Sequence, residues 1–246
     1  MPDSRKHRGQ HPSDAKLFGK SQVPKLQQAV KDVSWLLSRG YSGKSSLKLV
    51  GDRYRLQARQ RLAIARSSCS RQAASRRRLH ALPEEAMKDN ILYIDGFNLL
   101  ITVESSLSGG FILEGVDGCY RDMASIHGSY KRVMETEAAI TLSGKAMEAL
   151  AVRQAIWLLD RPVSNSGRLK QMILEIAGKN NWDWEAALHY NPDNLLAGQP
   201  APIATSDSVI LDGAAQWFNL ARFVVGKHVT GALILPLGQL AKNAPF

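Results

Sequence analysis

Ile91-Leu92-Tyr93-Ile94-Asp95-Gly96-Phe97-Asn98-Leu99-Leu100 is the stretch whose reading decides the fold. Four consecutive apolar residues run into an acid, and a glycine follows at once. That pattern reads as a buried strand with a carboxylate at its C-terminal tip. Leu99, Leu100, Val103 and Leu107 then fall at helical spacing until Gly109-Gly110 stops the run. A strand, a sharp turn and a helix open a parallel α/β sheet, in which ligands collect beyond the carboxyl ends of the strands. Asp95 stands at that edge.

The device recurs downstream. Ala155-Ile156-Trp157-Leu158-Leu159-Asp160 is a second apolar strand ending in an acid. The loop from Arg161 to Arg168 carries small donors and two cations into a helix over about 168–178, an arrangement suited to an anion. Glu185 to Tyr190 reads as a third strand and Pro192-Asp193-Asn194 as a turn. Pro202-Ile203-Ala204-Thr205 runs into Ser206-Asp207-Ser208, after which Ile210, Ala214, Trp217 and Ala221 resume helical spacing. Ser206, Asp207 or Ser208 can serve simply as a helix cap, and Asp212 brings a further carboxylate just over one turn along. Phe223-Val224-Val225 is expected to form a final strand.

Asp95, Asp160 and Asp207 each end an expected strand, so a parallel sheet projects all three from one edge. Carboxylates gathered without matching cations repel one another, and a divalent ion is the simplest compensation. Oxygen ligands suit Mg²⁺ or Mn²⁺, and such ions support phosphodiester hydrolysis. No Gly-x-Ser-x-Gly elbow, His-Glu-x-x-His pair or Gly-x-Gly-x-x-Gly turn is present to support another scheme. Between the first two units, Phe111 to Ser129 is dense in Gly, Asp and Arg and reads as a binding loop. A helix over about 130–152 follows. In it Val133, Glu137 and Ile140 occupy i, i+4 and i+7, which puts Glu137 on an apolar stripe, either as a functional acid or as a salt-bridged one.

The charge of the chain is uneven. Its 246 residues carry a net +10, but 20 Lys and Arg face 7 Asp and Glu through Asn90 (+13), while 12 face 15 from Ile91 onward (−3). A basic front on a mildly acidic domain suggests that one part holds a polyanion and the other processes it. Residues 1–23 show no hydrophobic period and read as a flexible basic arm. Residues 24–88 read as a basic helical domain. A helix starting at Pro24 carries the stripe Leu26, Val30, Val33, Leu36 and Leu37. A second helix, over about 53–67, aligns Arg55, Arg59 and Arg66 as a ladder for phosphates or, alternatively, as a surface paired with the acidic domain. Gly40-Tyr41-Ser42-Gly43-Lys44-Ser45 is not a phosphate loop, because its spacing is too short and a helix precedes it. Residues 89–230 form the expected α/β domain and 231–246 a tail.

No run reaches the ~18 apolar residues of a membrane span, and the polar start is no secretory signal. With two cysteines, Cys69 and Cys119, and no metal-ligand spacing around them, the expected setting is the cytoplasm, with no membrane partner. The sequence leaves room for a homo-oligomer.

Asp95-Gly96-Phe97-Asn98, an acid in the following long helix, Asp160 after an apolar strand, and Thr205-Ser206-Asp207 with Asp212 resemble the PIN-like nuclease superfamily, including its NYN branch. The likeness covers roughly residues 91–226. The whole chain, with Arg59-Gln60-Arg61 in a helix ahead of this domain, also looks like a bacterial and archaeal family classed as a domain of unknown function. The nuclease resemblance implies a Rossmann-like parallel sheet, Mg²⁺ or Mn²⁺, and hydrolysis of RNA. By position Asp95 matches the superfamily's first-strand acid, Glu137 the helical acid, Asp207 and Asp212 the acids after the later strand, and Asp160 the second-strand acid of the NYN type. The expected roles are metal binding for Asp95, Asp160 and Asp207 and completion of the shell for Glu137 and Asp212. Asn98 and Ser206 would position substrate or water, Arg161 and Arg168 would meet neighbouring phosphates, and Arg55, Arg59 and Arg66 would grip the strand. A non-catalytic RNA-binding module and a phosphatase or phosphotransfer domain are the alternatives.

Overall fold

The structure, a computed structural model, describes residues 7–124 and 130–239. Five helices come first: α1 (Asp14–Leu17), α2 (Val23–Ser38), α3 (Gly43–Arg53), α4 (Ala58–Ser67) and α5 (Arg71–His80). A 3-10 turn, Glu84–Met87, leads into β1 (Ile91–Asp95) and α6 (Gly96–Leu107). β2 (Phe111–Glu114), β3 (Tyr120–Arg121), α7 (Thr136–Ala149), β4 (Gln154–Asp160) and α8 (Ser166–Asn180) follow. The chain closes with β5 (Trp184–His189), α9 (Pro192–Ala197), β6 (Ile203–Ala204), α10 (Ser208–Gly213), β7 (Trp217–Phe218), α11 (Leu220–His228) and β8 (Leu233–Leu235).

The central sheet is parallel throughout, in the order β5-β4-β1-β6-β7. From β1 the chain winds outward through β4 to β5, then returns to the other side of β1 for β6 and β7. The order reverses between β1 and β6, which leaves a crevice at their carboxyl ends. Helices cover both faces. Leu92 and Ile94 are fully buried in a core that also holds Leu100, Ile140, Trp157, Ile173 and Val224, while Tyr93 packs into the opposite core with Leu196, Ile203, Ile210 and Trp217. Trp157 alone, buried and tilted against Trp184 at 5.2 Å, is worth on the order of 2–3 kcal/mol in removed apolar surface. This α/β, Rossmann-like parallel sheet is the fold expected from the apolar runs.

A second sheet, β3-β2-β8, pairs β8 parallel to β2. Its Leu113 and Leu235 share a core with Leu26, Val30, Val33 and Ile64 of the front helices. The basic front therefore packs on the segment after α6, and the segment read as a polar loop, Phe111 to Ser129, is two strands and a buried turn as far as Ala124. His127, Gly128 and Ser129 lie outside the described residues.

Three further expectations change. The arm is packed from residue 7 onward: Phe18 and Asp14 are buried, and Asp14 accepts from Arg59. The helix expected over 53–67 starts at Ala58, because Arg55 takes a left-handed conformation (φ 50°) and Gln57 and Gln60 form a reciprocal cap. Phe223-Val224-Val225 lies in α11, and the last strand of the main sheet is β7. Among the described residues no helix is long and apolar enough to cross a membrane.

Candidate active site

The reversal point places Asp95 at the tip of β1 and Asp207 just beyond β6. Asp95 caps α6, accepting from the Asn98 backbone N–H at 3.4 Å. The glycine behind it is required by packing: a Cβ on Gly96 would lie 2.6 Å from Leu159 Cδ2 and 3.1 Å from the Leu158 carbonyl oxygen. Thr205 Oγ1 donates to Asp95 Oδ2 at 2.8 Å and accepts the Asp207 N–H at 3.0 Å. Asn98 Oδ1 accepts from both the backbone N–H (2.9 Å) and the hydroxyl (2.7 Å) of Ser206. The β1 and β6 ends are thereby cross-linked, and Asp207 caps α10 through Val209 and Ile210.

Burial pushes the Asp95 carboxyl up to about 7, against the Thr205 hydrogen bond, and the negative charges of Asp207 and Asp193 add to the rise. Asp160, at the tip of β4, is raised by burial and then by Asp193. Asp193 itself is raised by burial and then by Asp207. Four carboxylates thus feel one another along the carboxyl edge, and none is in an ion pair with a cation among the described residues. Asp193 is the member not expected from the sequence. The sequence places it in a turn, although Asn191 capping and Pro192 opening a helix straight after β5 repeat the strand–turn–helix device and signal the same edge.

Two expected acids lie elsewhere. Glu137 is exposed, because α7 begins at Thr136 and Val133 precedes the helix, so no stripe joins the two. The buried helical acid is Glu104, on α6, held by Arg8 at 2.5 Å, by the Thr136 hydroxyl at 2.6 Å and by the Tyr130 hydroxyl. Asp212 turns toward the front helices, pairing with Arg76 (2.8 Å) and Arg77 (2.9 Å).

The expected arginines divide similarly. Arg59 is held by buried Asp14, and Arg66 by the Asp122 carboxylate and the carbonyls of Asp122 and Ala124. Arg55 is exposed in the turn before α4, so no three-membered ladder exists. Arg161 lies over the Tyr190 ring at 4.8 Å. Arg168 lines a cavity of about 1130 Å³ together with Arg8, Phe111, Tyr130 and Met172, and none of the four acids borders it.

Arg121 and Arg77 support the edge from below. Arg121 donates to the Ser206 carbonyl at 2.8 Å and doubly to Asp117. Arg77 donates to Asp117 at 2.7 Å and to the Ser208 carbonyl at 3.2 Å. The two guanidinium groups hold the Asp117 carboxyl well below the usual carboxylate range, overcoming the opposing effect of its burial. Nothing in the sequence separates buried Arg77 from Arg76 and Arg78 beside it.

Among the described residues, no three His, Cys, Asp or Glu side chains are close enough to enclose a metal ion between them. The donor set fits Mg²⁺ or Mn²⁺ that keeps several waters and takes one or two carboxylates together with substrate oxygens. It does not fit a closed cage.

No solved structure matches the chain. Residues 25–79 match the family described as protein of unknown function DUF434. The uncharacterized protein MJ0935 of Methanocaldococcus jannaschii is 32% identical over 188 residues, covering 76% of this chain and 88% of that protein. The model of the domain of unknown function DUF5616 matches residues 84–223, more than half of the length and a span that contains the four edge acids, and the chain belongs to that family.

Proposed function

We propose that the chain is a metal-dependent nuclease acting on RNA. The observation that carries this reading is Asp95: a carboxylate at the reversal point of a parallel sheet, made costly to ionise by burial and by Asp207 and Asp193, with no cationic partner among the described residues. Acids that only cap helices and pair with arginines would look like Asp117 or Asp212.

In this reading Asp95 and Asp207 would hold a hydrated Mg²⁺ or Mn²⁺, while Asp160 and Asp193, on the same edge, would not ligate it together with them. The ion, when bound, would polarise a phosphodiester oxygen and make water a better nucleophile. Thr205 fixes Asp95 Oδ2, and Oδ1 accepts the long Asn98 N–H bond at 3.4 Å. The Asn98–Ser206 link keeps the β6 end in register with β1. Asp160 and Asp193, both raised above the usual carboxylate range by burial and neighbouring charge, would take the proton of the attacking water. Arg55, Arg161 and Arg168 remain to neutralise the strand, so binding weakens as salt rises.

Cleavage of end-labelled RNA in Mn²⁺ tests the reading. Parent protein cuts and EDTA stops it, while Asp95→Asn lowers the rate at least ~100-fold without loss of folding. Equal cutting by the variant overturns the assignment. Release of phosphate from small esters with RNA left intact would assign a phosphatase instead.

A further inference from the structure

Tyr190 follows β5 directly and is 72% exposed. Solitary exposed aromatics are ordinary on protein surfaces, but this one is held in place and stands beside the acids. Asp160 pairs in register with His189, and the Arg161 N–H donates to the His189 carbonyl at 2.7 Å. Tyr190 and Arg161 therefore step off the ends of neighbouring strands together. The Arg161 guanidinium carbon lies over the Tyr190 ring, 4.8 Å from its centroid, covering one face. The next residues are Asn191, Pro192 and Asp193, whose charge reaches Asp160.

We infer that Tyr190 and Arg161 form a stacking subsite for an unpaired nucleobase of the strand whose phosphate lies at the acids. This rests on the nuclease reading and names the form of its substrate, a single strand. An aromatic ring and a guanidinium give a base a π-face and a cation whatever its identity. A duplex, whose bases are paired and stacked on one another, offers no free face. Strands in a sheet are spaced about 4.8 Å apart, which sets β5 about 10 Å from β1. The stacked base thus belongs to a nucleotide beside the one whose phosphate meets Asp95. Arg161 acts here as the floor of a base site and not as a direct phosphate ligand.

Binding and cleavage are measured separately on the full chain. Fluorescence anisotropy with labelled single-stranded and duplex RNA, in Ca²⁺ in place of Mg²⁺, reads affinity. A 2-aminopurine base in the single strand reads stacking. Tyr190→Ala should weaken single-strand binding about 5- to 100-fold and abolish the 2-aminopurine quench, with duplex binding unchanged. Tyr190→Phe and Tyr190→Trp should retain both. The substitution lies at the surface, and unchanged circular dichroism confirms the fold. If Tyr190→Ala binds single strands within twofold of the parent while the parent cleaves RNA, the subsite is wrong and the nuclease reading stands. If Tyr190→Phe fails like the alanine variant, the hydroxyl matters and stacking is refuted. If the parent binds no RNA, both fall.

Discussion

Thr205 Oγ1 donates to Asp95 Oδ2 at 2.8 Å between the carboxyl ends of β1 and β6. The two residues end strands more than a hundred positions apart in the chain. With the parallel pairing of β1 and β6 and the Asn98–Ser206 bonds, this bond ties the two strand ends together where the winding reverses, and it holds the most perturbed carboxylate of the edge.

The Asp95 carboxyl, with a folded-state pKa near 7 against ~3.9 unfolded, makes the metal-free protein bind more protons folded than unfolded in that interval. Its contribution to stability is complete below pH ~4 and disappears as pH rises through 7. Asp95→Asn removes the effect. In EDTA the variant should match the parent near pH 4 and exceed it by about 2 kcal/mol at pH 8, allowing for water at the crevice. Urea midpoints at the two pH values check this; equal midpoints at pH 8 would contradict it.

Asp117 gives the opposite sign. Arg121 and Arg77 depress its pKa, so its stabilisation is present above the unfolded value and lost as pH falls through and below ~4. Asp117→Asn leaves two buried guanidinium groups short of a partner and should cost about 3–5 kcal/mol at pH 7. Asp212→Asn, at a site 41% exposed, should cost under ~1 kcal/mol. Comparable losses in the two variants would show that the buried pairing is not what holds the β6 end.

Arg8 reaches from the front of the chain to Glu104, which is fully buried. Arg8→Ala strands that acid with only hydroxyl donors and should destabilise the protein by ~3 kcal/mol. Limited proteolysis should then cut within residues 7–20, where the buried Asp14 and Phe18 should protect the parent. Unaltered protection would mean that Phe18 and the Asp14–Arg59 pair suffice to dock the segment.

Asp193 and Glu137 separate the site in space from the site expected along the chain. Asp193→Asn should slow Mn²⁺-dependent RNA cleavage at least ~10-fold, and Glu137→Gln should leave it within twofold. The reverse ranking would move the active site to α7.

What was legible in the sequence is local. The runs ending at Asp95 and Asp160 are long, apolar and closed by an acid, so strand, edge and direction could be read together. Ser206-Asp207 carried the same message because a cap and a strand end coincide there. What was hidden is distant pairing. Arg59 and Arg66 share a helical face, yet their partners Asp14 and Asp122 lie far off in the chain, and only folding shows that those charges are already matched. β2 finds β8 across more than a hundred residues, which no periodicity announces. Glu137 reads as buried only if the helix begins near residue 130; α7 begins at Thr136, and that start leaves the carboxylate in solvent.

Anomalous scattering from a crystal soaked in Mn²⁺ tests the central claim most directly. The account predicts a peak in the crevice between β1 and β6, within ligand distance of Asp95 and Asp207 and flanked by ordered waters, that disappears in Asp95→Asn. An empty crevice at saturating Mn²⁺, or manganese bound only away from these acids, would contradict it.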